Sequence, residues 1–315
     1  MTHRWDFAEE LDVVEARNAV GEPAMTDRWN FAEGNEIAPG RHAVQLLGRG
    51  ERYETYLATD DHLLTPVVLK VLRPDRLDDR SAHRGLAAEA AALERTRHPV
   101  IVRSFGAVLD GPVPHLVLEH LEGPPLSMLV RKYGPLPLEQ LVPLAVQLCA
   151  GLHYLAATDL LHLDVKPRNV VMGAPPRLID LSVARSVADA AELRHRVGTD
   201  AFMAPEQWDP VARGPVGPPA DVWGLGATLY HALTGRAPFT LEGDDSRSPE
   251  DPAEVAPLPE TVPGRLADLV HACLAPRPAE RPTATDLALS FEPFVAALPR
   301  RPVLSRLRPR LGVRA

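Results

Sequence analysis

Between Leu161 and Ser182 the chain reads LHLDVKPRNVVMGAPPRLIDLS. This places His162, Asp164, Lys166 and Asn169 within eight residues and a second carboxylate, Asp180, eleven positions after Asn169. Those residue types in that order suit phosphoryl transfer. The reaction asks little covalent chemistry of a protein. It needs a carboxylate to accept the nucleophile's proton, an amide and a carboxylate to hold metal on the phosphates, and cations to neutralise the phosphate oxygens. The stretch supplies all of these except a glycine-rich cover and an upstream lysine.

Both have candidates earlier in the chain. From His42, the short runs HAVQLLG, YETYLAT and TPVVLKVL are rich in β-branched and aromatic residues and bounded by Gly, Asp and Pro, so they read as an antiparallel meander. The first turn carries Gly48-Arg49-Gly50, where glycines let backbone N–H groups approach a phosphate. Alone, two glycines in a hairpin signal only a turn. Lys70 stands mid-strand among apolar neighbours, where an ammonium is costly without a carboxylate. The next segment, RSAHRGLAAEAAALERTRH, is a helix by propensity, with Leu86, Ala90 and Leu93 as its packing stripe. Its Glu89 is flanked by alanines and by itself reads as a solvated charge; opposite an unpaired Lys70 it becomes the lysine's partner.

Strands are expected at Val100–Ser104 and His115–Glu119, with LEHLEGPPL as the exit into a second lobe. Residues 138–158 form a helix with one apolar face, which is core. A loop over 183–203 ends in GTDAFMAPEQ, and 220–235 is an apolar helix suited to burial. An acidic, Pro-rich surface loop over 241–263 precedes helices at 264–274 and 284–297.

Composition bounds the partners. A net charge of −8 argues against nucleic acid, whose binders are basic. No run of about 18 apolar residues and no secretory leader is apparent, so a cytoplasmic protein is expected. Cys149 and Cys273 lie in apolar helical patterns without metal-ligand spacing and read as buried free thiols in a reducing compartment. Only three of the 34 basic residues are lysine: Lys70, Lys132 and Lys166. Where arginine is the default cation, a lysine marks a site needing a compact point charge, and two of the three fall in the motifs above.

The two ends differ in character. MTHRWDFAE at 1–9 returns as MTDRWNFAE at 25–33, identical at seven of nine positions. The plainer account is a duplicated start region, with Met25 as an alternative start; the functional one is a short aromatic docking motif using Trp5/Phe7 and Trp29/Phe31. Residues 1–36 carry nine acids against three arginines, and the chain from Pro299 carries six arginines and no acid. The two ends would attract each other only at close range, within a screening length of about 8 Å. Contact of the basic end with anionic lipid is the alternative.

In order and spacing, the Gly-rich hairpin, strand lysine, helix glutamate, H-x-D-x-K-x-x-N, D-x-x metal motif and APE resemble the eukaryotic-type (Hanks-type) Ser/Thr protein kinases that also occur in bacteria, over residues 42–294. The resemblance implies an α+β, bilobal fold: a small antiparallel β lobe with one helix, and a larger helical lobe. The boundaries would be an acidic extension at 1–40, the N-lobe at 41–121, the C-lobe at 122–294 and a basic tail at 295–315. It implies Mg-ATP as phosphoryl donor and a protein Ser or Thr hydroxyl as acceptor, with oligomeric state open. Gly48 and Gly50 would cover the phosphates, and Lys70, held by Glu89, would contact the α and β phosphates. Leu47, Thr55, Val68 and Val171 would enclose the adenine, Leu118 would stand behind it, and Glu119 to Leu121 would form the hinge. Asp164 would be the catalytic base, Lys166 would steady the γ-phosphate, and Asn169 with Asp180 would bind Mg²⁺. Thr199 would position Asp164 and the acceptor. Glu206 with Arg281, and Asp221, would anchor the activation segment and catalytic loop.

Five residues depart from the family pattern, and two of them, Leu163 and Ser182, bear on regulation. Tyr53 replaces the third glycine of G-x-G-x-x-G, and Thr55 and Val68 replace the usual Val and Ala around the adenine. Leu163 stands where most members carry an arginine that pairs with a phosphorylated activation loop. Ser182 replaces the glycine of the metal motif, which restricts the backbone there. Two other readings are an ATP-binding pseudokinase scaffold and a small-molecule phosphotransferase. Retention of Lys70, Glu89, Asp164, Asn169 and Asp180 argues against the first; Lys166 and the Thr199–Glu206 segment argue against the second.

Overall fold

The computed structural model describes residues 27–239 and 255–298. The first copy of the repeat, residues 240–254 of the acidic segment and the arginine-rich end lie outside these residues. In chain order the elements are β1 (Glu36–Ala38), β2 (Arg41–Arg49), β3 (Tyr53–Asp60), β4 (Thr65–Leu72), α1 (Arg80–Arg95), β5 (Ser104–Val108) and β6 (His115–Glu119). There follow α2 (Leu126–Tyr133), α3 (Leu138–Ala157), β7 (Val170–Val171), β8 (Arg177–Leu178), α4 (Val187–Ala191), α5 (Pro205–Trp208), α6 (Pro210–Arg213), α7 (Pro218–Thr234), α8 (Gly264–Cys273) and α9 (Ala284–Ala297). The first group builds a six-stranded antiparallel sheet in the order β1-β2-β3-β4-β6-β5, with α1 as its helix; the second is mainly helical. This is the expected α+β, two-lobed architecture.

Period-2 alternation sets the sheet's faces. In β3, Glu54, Tyr56, Ala58 and Asp60 are buried while the residues between them are more open. Tyr56 and Ala58 join Ile37, Ala43, Val67, Leu69, Val71 and Val117 in one apolar cluster. Trp29 and Phe31 close that cluster. Their rings stack at 5.5 Å, Phe31 meets Tyr56 edge-on at 5.5 Å, and the Trp29 indole N–H donates to the Leu72 carbonyl at 2.7 Å. Residues 27–40 therefore belong to the lobe, and the extension expected to end at residue 40 is not separate from it over its described part.

α1 starts on Asp79, whose carboxylate accepts from the Ser81 and Ala82 N–H groups, an N-cap of the usual kind. Leu86, Ala90 and Leu93 are buried as the stripe predicts. The strand expected at Val100–Ser104 is displaced: the ladder with β6 runs over Ser104–Val108. Residues 100–102 instead face the helical lobe, where the Leu178 N–H donates to Val100 and the Val102 N–H donates to Leu178. The loop expected over 183–203 contains α4, capped by Ser186.

The largest apolar cluster runs through both lobes, from Leu86, Leu116 and Leu118 to Leu148, Leu229 and Phe291. α3 lies at its centre. Among the described residues α3 is the one helix long and apolar enough to cross a bilayer, a length of apolar chain the sequence reading did not expect. Here its leucines are core, against α7 and α9. α7 is buried nearly all round. At Gly224 a Cβ would fall 2.9 Å from both the Val165 Cβ and the Val165 carbonyl, so α7 presses its bare backbone directly under the 161–169 loop. Gly224→Ala is expected to lower stability by about 1–3 kcal/mol, read as a fall in melting temperature, because overpacking must push Val165 aside.

Candidate active site

Three elements converge on one ammonium. Lys70 Nζ, from β4, donates to Glu89 Oε1 and Oε2 on α1 at 2.9 and 2.7 Å, and to Asp180 Oδ1 at 2.8 Å. Burial alone would make the Lys70 ammonium easier to deprotonate; the Asp180 and Glu89 carboxylates outweigh it and hold the pKa above the ordinary lysine value. Asp180 is only half-buried, and the Lys70 cation, with the Ser182 side chain, keeps its carboxyl below the usual range. Glu89, 1% exposed, is pushed upward by burial and by the Asp180 charge despite the Lys70 contact. The tyrosine in the third glycine position adds a contact: Lys70 Nζ lies 4.9 Å over the Tyr53 ring, and the Tyr53 hydroxyl donates to the Ala82 carbonyl of α1 at 3.2 Å. A Cβ on Gly85 would come within 3.1 Å of that hydroxyl. Tyr53 thus ties the Gly-rich hairpin to the helix that carries Glu89.

Across the cleft, Asp164 is held on both oxygens. Thr199 Oγ1 donates to Oδ1 at 2.7 Å; Lys166 Nζ at 2.8 Å and Asn169 Nδ2 at 3.1 Å reach Oδ2. Lys166 also donates to Thr199 Oγ1 at 2.6 Å, which leaves the hydroxyl's proton for Asp164. The loop beneath is unusual in backbone: Leu163 and Asp180 have φ of 61° and 69°, the left-handed region that side chains with a Cβ rarely adopt. Leu163 is fixed there from several sides. Its N–H donates to Asp221 Oδ1 at 2.7 Å, the His162 N–H donates to Asp221 Oδ2 at 2.8 Å, and Gln207 Nε2 donates to the Leu163 carbonyl at 2.7 Å. The Asp164 N–H donates to His162 Nδ1, so the other ring nitrogen carries the proton, which it donates to the Ile179 carbonyl at 3.1 Å. Burial raises the Asp221 carboxyl against the pull of His162 and the two N–H donors.

The activation segment is anchored below by a buried fork: Arg281 Nη1 and Nη2 donate to Glu206 Oε1 and Oε2 at 2.6 and 2.8 Å. Arg281 also donates to the Pro219, Ala275 and Pro276 carbonyls and stacks 4.9 Å over Trp223. The ion pair is therefore desolvated and well satisfied.

Between the lobes lies a cavity of about 370 Å³. Leu47, Gly48, Gly50, Thr55, Val68, Lys70, Glu89, Leu118, Glu119, Leu121 and Val171 all line it, as do Asn169 and Asp180. His120 of the hinge lines it too, as do Arg49, Val102, Gly123, Pro125, Arg168 and Ile179, to which the sequence assigned no site role. A larger hollow of about 770 Å³, behind the hinge beside Arg103, Phe105 and Arg177, touches neither Lys70 nor Asp164 nor Asp180. It does border Glu119, which receives the Arg103 N–H and Arg177 Nε and so stiffens the hinge.

Among the described residues no cluster of three His, Cys, Asp or Glu side chains forms a metal cage. Asn169 uses its Nδ2 on Asp164, leaving its amide oxygen for a cation, and the ionised Asp180 is part exposed. One amide oxygen and one carboxylate, completed by phosphates and water, suit Mg²⁺ rather than a softer metal.

The protein kinase domain family matches residues 41–290. The chain is 32% identical over 252 residues to the serine/threonine-protein kinase PknB of Mycobacterium leprae, covering 75% of this chain and 40% of the relative. It is 34% identical over 235 residues to the serine/threonine-protein kinase PkaA of Streptomyces coelicolor, covering 70% of this chain and 42% of that protein. The chain thus spans about two-fifths of the length of these relatives. It belongs to the protein kinase family, among the eukaryotic-type Ser/Thr kinases of bacteria.

Gln207 and Tyr53 are the two residues whose roles the sequence did not disclose. Gln207 directly follows the APE motif, and its amide also receives the Ala204 N–H and donates to the Val197 carbonyl. Glu206→Gln is expected to cost about 3–5 kcal/mol in chemical denaturation, since it leaves the Arg281 charge buried and unpaired.

Proposed function

We propose that this chain transfers the γ-phosphoryl group of ATP to a protein Ser or Thr hydroxyl. The observation that carries this reading is the meeting of Lys70, Glu89 and Asp180 on one side of the cleft with Asp164, Lys166 and Thr199 on the other. Adenine would enter between Leu47, Val68 and Val171, against the hinge at Glu119 to Leu121. Gly48 and Gly50 would lie over the phosphates, and Lys70 would share itself between Asp180 and the α and β phosphates. Asp164 orients the acceptor hydroxyl and takes its proton; Lys166 neutralises charge on the γ-phosphoryl oxygens; Thr199 keeps Asp164 aimed. Asn169 and Asp180 would hold Mg²⁺, which would supply positive charge to offset what develops on the phosphates. A cytoplasmic site would supply ATP, and the buried free thiols of Cys149 and Cys273 support such a reducing compartment.

We infer further that activity does not depend on a phosphorylated activation loop. In place of an arginine waiting for a phosphate, Leu163 is 2% exposed and packs with Ala190, Leu193 and Val197 of the activation segment. Between Leu181 and Gly198 the only hydroxyl side chains are Ser182 and Ser186. Ser186 is engaged in capping α4 with Asp189.

The scaffold reading draws on Tyr53 and Ser182, and one assay separates it from catalysis. Asp164→Asn is expected to lower phosphate transfer from Mg-ATP by about 10²–10⁴-fold, the range for losing a general base, while nucleotide binding persists. A wild-type protein that binds Mg-ATP but labels neither itself nor a generic Ser/Thr substrate would establish the scaffold instead. Phosphatase treatment of the purified protein is expected to leave its rate nearly unchanged; a large loss would sink the activation-segment argument.

A further inference from the structure

Residues 27–33 act on the outer face of the N-lobe sheet like a key in a groove. Trp29 Nε1 donates to the Leu72 carbonyl, the Trp29 N–H donates to the buried Glu54 carboxylate at 3.2 Å, and the Trp29 and Phe31 rings seal the apolar cluster around Tyr56. The same sequence carries a near-copy of this key 24 residues earlier. Each side chain that grips the groove has an identical counterpart: Trp5 for Trp29 and Phe7 for Phe31, with Arg4 and Ala8 around them. Asn30, at φ 51°, is replaced by Asp6, and Asp tolerates that backbone nearly as well as Asn.

The copies part company on either side of the grip. After the second key, Gly34 turns at φ 82° and Asn35 Oδ1 accepts the Ala32 N–H, which leads the chain straight into β1. The first copy has Glu10 and Leu11 there, so it carries the grip but not the turn. Before the grip, Asp27 pairs with Arg73, Oδ2 lying 3.4 Å from Nη2, while its carbonyl receives Arg73 Nε at 3.3 Å. Arg73 Nη1 in turn donates to the carbonyl of Gly50 in the Gly-rich turn at 3.3 Å. The first copy offers His3 in place of Asp27, which removes the carboxylate from this chain of contacts.

We propose that residues 4–8 are an alternative occupant of the groove held by residues 28–32, exchanging within one molecule. With the first key seated, residues 10–35 close a loop on the lobe surface, at an entropic cost that grows only with the logarithm of its length. The aromatic seal is kept and Asp75 still holds Arg73, with Oδ1 at 3.0 Å from Nε, but the Asp27 contacts are lost and the Gly-rich turn is held less firmly. The second key, with its built-in turn and its carboxylate, is the preferred occupant. The N-lobe therefore has two seated states that differ at the phosphate-covering turn.

The test uses the full chain. In Trp29→Ala/Phe31→Ala the first key should take over, so melting temperature falls modestly and the Trp5 indole N–H gains protection from solvent exchange relative to wild type. Adding Trp5→Ala/Phe7→Ala to that variant should at least about double the fall, whereas alone it should leave melting unchanged; neighbouring, redundant sites are non-additive in this way. Trp29→Phe, which keeps the apolar ring and removes the indole donor, serves where the double variant does not fold. Its Trp5 indole should show the same gain of protection. Equal melting of the double and quadruple variants, with no new protection of Trp5, would overturn the proposal. Rescue that grows with protein concentration would assign the groove to the key of a second molecule and overturn the intramolecular exchange. The consequence for the Gly-rich turn rests on the kinase reading and has its own readout. Asp27→His should raise the KM for Mg-ATP several-fold with little change in kcat, while an unchanged KM would overturn the Arg73 link alone.

Discussion

Lys70 is shared between two carboxylates, and most of the upper half of the site follows from the need to satisfy the buried Lys70 and Glu89 charges. An ammonium in the middle of a β-strand with apolar neighbours is tolerable only when acids reach it. Glu89 reaches it because α1 is lined with alanines and packs close against the sheet; Asp180 reaches it from the helical lobe. The shared ammonium therefore fixes β4, α1 and the loop after β8 relative to one another. Tyr53 supports the same arrangement from the hairpin side, its ring under the ammonium and its hydroxyl on α1. A glycine in its place would free the hairpin; the tyrosine trades that freedom for a fixed helix.

The lower half rests on a second buried set. Asp221 and Gln207 between them bind the N–H of His162 and both backbone groups of Leu163, and this holds a leucine in a left-handed conformation that would otherwise cost on the order of 1–3 kcal/mol. The Arg281–Glu206 fork then ties the end of the activation segment to the start of α7 and to the turn after α8. Gly198 shows how tight the arrangement is: a Cβ there would lie 2.9 Å from the Leu163 carbonyl and 2.8 Å from Met203. Catalytic loop and activation segment thus form one packed unit.

Much of this was legible in the sequence where chemistry demanded an unusual residue. Lys70 in an apolar strand asked for an acid, and the alanine-flanked Glu89 was the nearest answer; residue type and spacing drew out Asp164, Asn169 and Asp180, and the resemblance of the ordered motifs then supplied Glu206 and Arg281. What stayed hidden were residues whose role depends on three-dimensional reach. Nothing local marks Gln207 as a clamp, since a glutamine after APE reads as an ordinary surface amide. Tyr53 looked like an impaired glycine until its hydroxyl was seen to find Ala82. The strand expected at residues 100–104 was misplaced because β-branched residues signal burial on a pleated surface without saying which lobe they serve. The extension was expected to run to residue 40, with its aromatic residues a duplicated start or a docking motif, and only the groove beside Tyr56 shows what Trp29 and Phe31 cover.

Replacing a charged switch by apolar packing changes what can regulate the domain. An arginine beside the catalytic base stays unsatisfied until a phosphate arrives, so its segment has two states separated by a charge. Leu163, buried among Ala190, Leu193 and Val197, has its partners already and gains nothing from an added anion. A phosphate near that cluster would instead have to be desolvated against apolar groups. On the proposed reading, control through the activation segment is therefore weak. The part of the chain that retains exposed, exchangeable polar contacts to the site is the opposite end. There Asp27, Arg73 and Gly50 form a surface relay from the N-terminal segment to the Gly-rich turn. Such contacts are individually small and screened by salt, which makes them adjustable where the buried pairs are not.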